Sequence, residues 1–443
     1  MVCMILFAGC SREREGSPPP ARSGVPPGTT QWTTVVTNTE ISKGGRHTVS
    51  QSQSDKIVFS EDARGVAFLE TSDGKVRVVH NGRAGKAYPE IGDIVLSPDG
   101  SRLAYTVSRN DRWFVVVDGK EGEVFDSVGR PKFSPDSRHS IYNAAVGERA
   151  HLVVDGRKSA SFPGSWDELF SGDSKKIISI QNSAEGNNVH TVVITDLTFG
   201  SRREQALDAI LFIYNNERNR IAAIGLDKEK HRLIELSIEK PEQVKRGQVY
   251  NNIDLHTFGP DGVSVAYVAD KEGKRILVLN GREELLPEGA PVNWPAVRPD
   301  GKAAGIILAG KDGQFFHQAF ENSGRKTKAY EEAGQPLYSP DGSRFAFVAK
   351  RGKDVFMVVS GKEGPAYDMV VSPQFSTDGR FLIYRARKEG QRFVVVADAD
   401  GKTLREHPRY ELVFPVVVHK DGASVAYGVK NGEKLEQIVE KLP

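Results

Sequence analysis

At 443 residues with a formal net charge of +2 at pH 7, the chain carries no excess of basic charge that would draw it to phosphates, so nucleic acid is excluded as its main partner. Its two cysteines, Cys3 and Cys10, both fall in the first ten residues. Disulfides, thiolate metal sites and a cysteine nucleophile are therefore excluded from everything that follows.

The chain begins MVCMILFAGC, an apolar run that ends in small residues directly before Cys10. This resembles a bacterial lipoprotein signal peptide with its lipobox, although Phe7 stands where leucine is usual and no Lys or Arg precedes the apolar run. The resemblance implies that residues 1–9 are removed and that Cys10 becomes an acylated first residue. Residues 10–30 then form a tether, because SREREGSPPPARSGVPPGTT is rich in Ser, Pro, Gly and charge and has nothing to bury. By the sorting rule for such lipoproteins, Ser11 after the cysteine implies the periplasmic face of the outer membrane. No later apolar run reaches the roughly 18 residues of a membrane span, so the membrane is met only through the anchor.

From residue 31 to 443 the sequence repeats. Its markers are Asp62, Asp99, Asp136, Asp173, Glu217, Asp261, Asp300, Asp341, Asp378 and Asp421, spaced 37 to 44 residues apart. In eight copies a large apolar or aromatic residue follows six positions later, as Tyr105 follows Asp99; Ser179 and Ala223 are the degenerate partners. A period near 40 is that of propeller blades. Within 96–135, RLAYTVS, WFVVVDG, EVFDSVG and RPKFSPD read as four short antiparallel strands, and no segment has a capped 3.6-residue apolar period. The fold class is therefore all-β, a β-propeller of four-stranded antiparallel blades with about ten repeats.

The recurring F/Y-S-P-D-G-x-x-x-A-Y, followed by an apolar run ending in D-G, resembles the repeat of TolB-like, WD-repeat-like β-propellers over residues 55–443. The resemblance implies that the strand before S-P-D-G is innermost in its blade. It departs from TolB in lacking the preceding α/β domain, in carrying a lipobox and in having ten copies, so TolB's partners are not implied. Ten copies fit one large ring or two tandem smaller ones; a single ring is favoured, and the long spacings of 173–261 are where a seam is to be sought. GEKLEQIVEKLP reads as the third strand of the last blade, and QWTTVVTNTEI at 31–41 is expected to complete that blade.

The repeated motifs have geometric readings. In S-P-D-G, proline presets φ, Asp bonds amides two residues on and Gly takes the positive φ. Asp-Gly and Asn-Gly, as in DGKEG at 118–122 and NGRAG at 81–85, are hairpin turns. Aromatics followed closely by acids, such as Phe125 with Asp126 and Tyr367 with Asp368, are expected to brace adjacent blades; the alternative is a ring of acids. The connections between second and third strands lean basic and open on the face where recognition is expected. The candidate binding face is accordingly Arg109, Arg112, Lys274, Lys350, Arg351, Lys353, Lys388 and Lys430 with Asp126 and Asp368.

Catalytic motifs, cofactor fingerprints and histidine pairs at metal spacing are all missing from the sequence, which implies no catalytic residue, no cofactor and no metal site. The expectation is a noncatalytic envelope scaffold that docks a protein partner, with a glycan as lesser option. The alternative is a hydrolase or lyase on sugars or peptides, assembled across blades. Histidine, arginine, tyrosine and acids clustered in one pocket would favour the latter.

Overall fold

The computed structural model describes residues 32–37, 58–61, 65–72, 74–162, 165–182, 189–215, 219–286, 290–291, 294–310, 314–320, 327–419, 422–432 and 434–443. The lipobox with Cys10, the tether and the markers Asp62, Glu217 and Asp421 lie outside them. Every regular element among the described residues is a β-strand, and they form nine antiparallel sheets in a repeat, propeller-like arrangement.

One sheet shows how sequence becomes strand. Glu90–Leu96, Leu103–Arg109, Arg112–Val117 and Lys120–Glu121 pair side by side in chain order. Residues 103 to 107 are all buried, as are 114 to 116, so these strands lack the in-out alternation of a sheet with one wet face. The reason is that both faces are covered. Ala67, Leu69 and Val78 of the preceding sheet pack with Ile94, Tyr105 and Phe114 of this one. On its other face Ala104 and Val115 meet Tyr142 and Val153 of the sheet that follows. The core is thus a series of layers between consecutive sheets, and each unit depends on its neighbours for burial.

Two features differ from the four-strand reading. EVFDSVG is divided between sheets: Phe125 makes a single bridge to Trp113 of its own sheet, whereas the Asp126 amide bonds to the Ala145 carbonyl and Ser127–Val128 pairs within the next. The outermost strand is therefore only Lys120–Glu121, because the chain must turn inward to start the next unit. Further along, Arg202–Asn215 runs for 14 residues; its first half pairs with Val189–Asp196 and its second half, beyond a register shift at Ala209/Leu211, pairs with Arg220–Asp227. Two four-stranded units are fused there into one seven-stranded sheet, so ten repeats yield nine sheets. Within 173–261, the stretch where a seam was to be sought, residues 202–215 form one continuous strand.

Lys434–Lys441 is the third strand of the last sheet, and Trp32–Thr37 pairs beside it antiparallel, from Trp32 opposite Val439 to Thr37 opposite Lys434. The first strand of the chain covers an edge that would otherwise expose unpaired amides. Deleting residues 32–37 is expected to lower the melting temperature by several degrees and to promote aggregation, read by a thermal melt with light scattering. An unchanged melt would show that this pairing contributes nothing.

Candidate functional site

The seven marker acids among the described residues are corner devices. Asp341 accepts from the Ser339 hydroxyl at 2.5 Å, the Ser343 amide at 3.0 Å and the Ser343 hydroxyl at 2.6 Å, while Gly342 takes a φ of +70°. Asp99, Asp136, Asp173 and Asp378 repeat the arrangement with Ser97, Ser134, Ser171 and Ser376. Asp261 uses the Ser264 hydroxyl and Asp300 the Arg298 guanidinium instead. Hydrogen bonds from the Ser339 hydroxyl, then the Ser343 hydroxyl and amide, hold the Asp341 pKa down at about 2. Corners of consecutive sheets also touch: the Asp99 amide donates to the Ser137 hydroxyl and the Asp136 amide to the Ser174 hydroxyl, both at 3.1 Å.

The Asp-Gly and Asn-Gly turns are equally geometric, since Asn81, Asp118, Asp155 and Asn280 all have φ between +48° and +53°. Two residues past such turns, acids meet the crossing aromatics. The Tyr88 hydroxyl donates to Glu121 at 3.0 Å, Tyr250 to Glu283 at 3.0 Å, and Tyr330 to Glu363 at 3.4 Å. A cation from the end of the second strand closes each trio: Arg109 lies 3.6 Å from Glu121, Lys271 2.6 Å from Glu283 and Arg351 2.8 Å from Glu363. The aromatic hydroxyls are thereby satisfied while their rings fill the layer between sheets, where Tyr88 packs edge-on to Tyr105 and Phe114. Tyr250 plays this part although the sequence pattern passes it over.

The candidate binding face thus divides. Arg109 and Arg351 belong to the trios; Lys350 pairs with Glu332 at 2.5 Å, and Arg112 donates to the Phe125 carbonyl at 3.0 Å beside Asp126. Asp126 accepts the Gly147 amide at 2.7 Å, and Glu331 and Glu411 accept those of Gly352 and Gly432, so these acids cap turns of the following sheet. Lys430 is half-buried, within strand pairing opposite Leu412 and Leu435. Lys274, Lys353, Lys388 and Asp368 remain exposed. The ten residues lie on five sheets and their crossings, and none of them lines the cavity around His256.

A cavity of about 480 Å³ opens elsewhere, in the irregular stretch, lined by side chains that no repeated motif contains. Asn252–Phe258, the first strand of its sheet, shifts register between Asp254 and Thr257, so two residues oppose one. The bulge re-aims His256, which is 4% exposed and has no hydrogen-bond partner on either ring nitrogen. Burial pushes its pKa down to about 4, so the ring is neutral at pH 7. Asp254 accepts from Asn252 at 2.8 Å and from Arg275 at 2.8 Å; Arg275 also reaches Asp270 at 3.1 Å. His231, from the preceding sheet, accepts the Ile253 amide on Nδ1 at 3.2 Å. Ile210, Leu211, Ile224 and Trp294 supply the apolar wall, and Trp294 is 43% and Leu211 40% exposed at the mouth.

One sequence signal points here. Five positions before the marker acid, the other copies with described corners have Ile94, Pro131, Pro295, Pro336 and Pro373, whereas Glu168 and His256 are ionisable and buried.

Neither protein-family models nor curated proteins give a match to the chain. Several solved structures of β-propeller type are weakly similar to it. A crystal structure of the eukaryotic initiation factor is 13% identical, covering 78% of this chain and 96% of that one at a TM-score of 0.48. The β-propeller domain of the Trilobed protease from Pyrococcus furiosus is 13% identical over 63% of this chain and 92% of that one, at 0.35. TolB from Acinetobacter baumannii is 15% identical over 64% and 81%, at 0.30.

A carboxyl whose pKa drops on folding, from 3.8 to about 2 for Asp341, adds stability that is present above pH 3.8 and is lost as the pH falls through about 2. Asp341→Asn is expected to flatten this loss by about 1 kcal/mol or less, because the carboxylate is exposed to solvent. Urea unfolding between pH 2 and 5 reads it; an unchanged pH slope would deny Asp341 its corner role.

Proposed function

We propose that the ten four-stranded units close into one ring, and that this ring is a noncatalytic scaffold for a protein partner, held by acylated Cys10 at the periplasmic face of a bacterial outer membrane. Closure is supported by the meeting of the chain's two ends. A methyl group placed on Gly428, in the last sheet, would lie 2.7 Å from the Phe59 ring in the first, so those sheets are in contact. Continuity of Arg202–Asn215 also favours one ring over two, because it leaves no linker at the most irregular point.

The observation that carries the scaffold reading is how the recurrent charges are used. The described marker acids, several crossing acids and four of the eight candidate cations are held by turns, carbonyls and each other, and Lys274, Lys353 and Lys388 stand exposed at turns between second and third strands of three sheets. Cations presented along one face suit an acidic surface on a partner.

Reversing these three charges, Lys274→Glu, Lys353→Glu and Lys388→Glu together, is expected to abolish capture of the partner that wild-type protein retains from envelope extracts, with the melting temperature unchanged. Retention of the same partner by the triple variant would remove this face from consideration. Membrane fractionation tests the anchor, since Cys10→Ala is expected to release the protein; a wild type that is already soluble and unacylated would refute the lipobox.

Catalysis across sheets is the second reading, favoured by the meeting of His231, His256, Asp254 and Arg275 in one cavity. Turnover of a sugar or peptide substrate that Asp254→Asn abolishes would replace the scaffold with an enzyme.

A further inference from the structure

We infer that the cavity between Trp294 and His256 is a binding site for a neutral saccharide, separate from any partner docked on the lysine-bearing face. The inference stands whether or not the chain is anchored or engages a protein.

The cavity's size, about 480 Å³, lies within the roughly 300–1,000 Å³ of sites that enclose small organic molecules. Its charge argues against ionic guests. Asp254 lines the cavity beside the Arg275 guanidinium, which Asp270 behind it also holds, so an anion would meet a carboxylate and a guanidinium already paired, and a cation would meet that guanidinium.

His256 fixes the kind of guest further. A buried polar group without a partner costs stability, roughly 1–3 kcal/mol, and is retained where something fills its need. Its neutral ring offers one donor and one acceptor, with no partner for either among the described residues. A hydroxyl group is both donor and acceptor, and several hydroxyls on one ring also match the planar groups of Asn252, Asp254 and Arg275. The indole of Trp294, exposed at the mouth, presents a flat apolar face to the C–H side of such a ring. A purely aromatic guest would stack on Trp294 but leave the polar floor unmatched, which costs more than the stacking returns.

The test uses the full chain and a defined panel: glucose, galactose, mannose, N-acetylglucosamine and their β-1,4-linked disaccharides, with N-acetyltryptophanamide and spermidine as aromatic and cationic comparators. Tryptophan fluorescence and saturation-transfer NMR read binding. At least one saccharide is expected to bind with the comparators silent, and Trp294→Ala and Asp254→Asn are each expected to weaken it about tenfold or more. Trp294→Ala removes a side chain that is 43% exposed, so its melting temperature should stay at the wild-type value and the loss report on the site. Silence across the saccharide panel up to about 50 mM, affinity unaltered by Trp294→Ala, or preference for either comparator would each overturn the inference. Loss of saccharide binding leaves the lysine-face experiment untouched, so the two readings fail separately.

Discussion

Every sheet in this protein has two apolar faces and can bury neither by itself. The strand of residues 103–109 shows the constraint directly: its first five residues are all buried, with Leu103, Tyr105 and Val107 packed in the layer with the preceding sheet and Ala104 in the layer with the following one. Continuous apolar strands follow from this, as do aromatics at the crossings, since the chain leaving one sheet must pass through the layer it shares with the next. Tyr88, Phe125, Phe162, Tyr330 and Tyr367 each bridge the third strand of the sheet just completed and are buried. The same constraint makes the ends of the array its weak points, because an end sheet keeps one face uncovered unless another sheet or strand reaches it.

Layers of this kind need their sheets at a fixed spacing and orientation, and polar side chains set both. A carboxylate that accepts a serine hydroxyl two residues before it and an amide two residues on can fix a turn without any partner outside five consecutive residues. Acids at the crossings act over a longer reach, as Asp126 does in holding the Gly147 amide of the following sheet. The trio of Tyr88, Glu121 and Arg109 then satisfies the one polar atom that an interlayer tyrosine brings with it. Residue types that carry chemistry in other proteins are thus absorbed into architecture, and their repetition is the sign of it.

This explains what the amino-acid pattern reveals and what it hides. Asp99 and Asp341 announce their corners because the turn is local and its requirements fall within five consecutive residues. The pairing of Trp32–Thr37 with the last strand was also legible, since an unassigned strand at one end matches a missing one at the other. Fusion of two units along Arg202–Asn215 was not, because nothing in a single strand's sequence says that it changes partners midway. Arg109 and Arg351 looked available because their acids lie 12 residues away on another strand. The cavity was hidden for a related reason: His231, Asp254, Arg275 and Trp294 come from three successive units and share no motif.

A repeat protein gains specificity only where it breaks its own rule, since a surface feature present in every unit would give many equivalent weak sites. The bulge in Asn252–Phe258 is a small break with a large effect. Comparable register shifts in Glu90–Leu96 and Met369–Phe375 fall at Gly92–Asp93 and Ser372–Pro373, where little side-chain volume projects. The same device around Asp254 and Thr257 places an imidazole instead. The bulge geometry recurs in these three strands while the side chains it carries change from Gly92–Asp93 and Ser372–Pro373 to His256. The surrounding layers hold the strand in place, so the substitution alters what the cavity offers without altering the sheet that offers it.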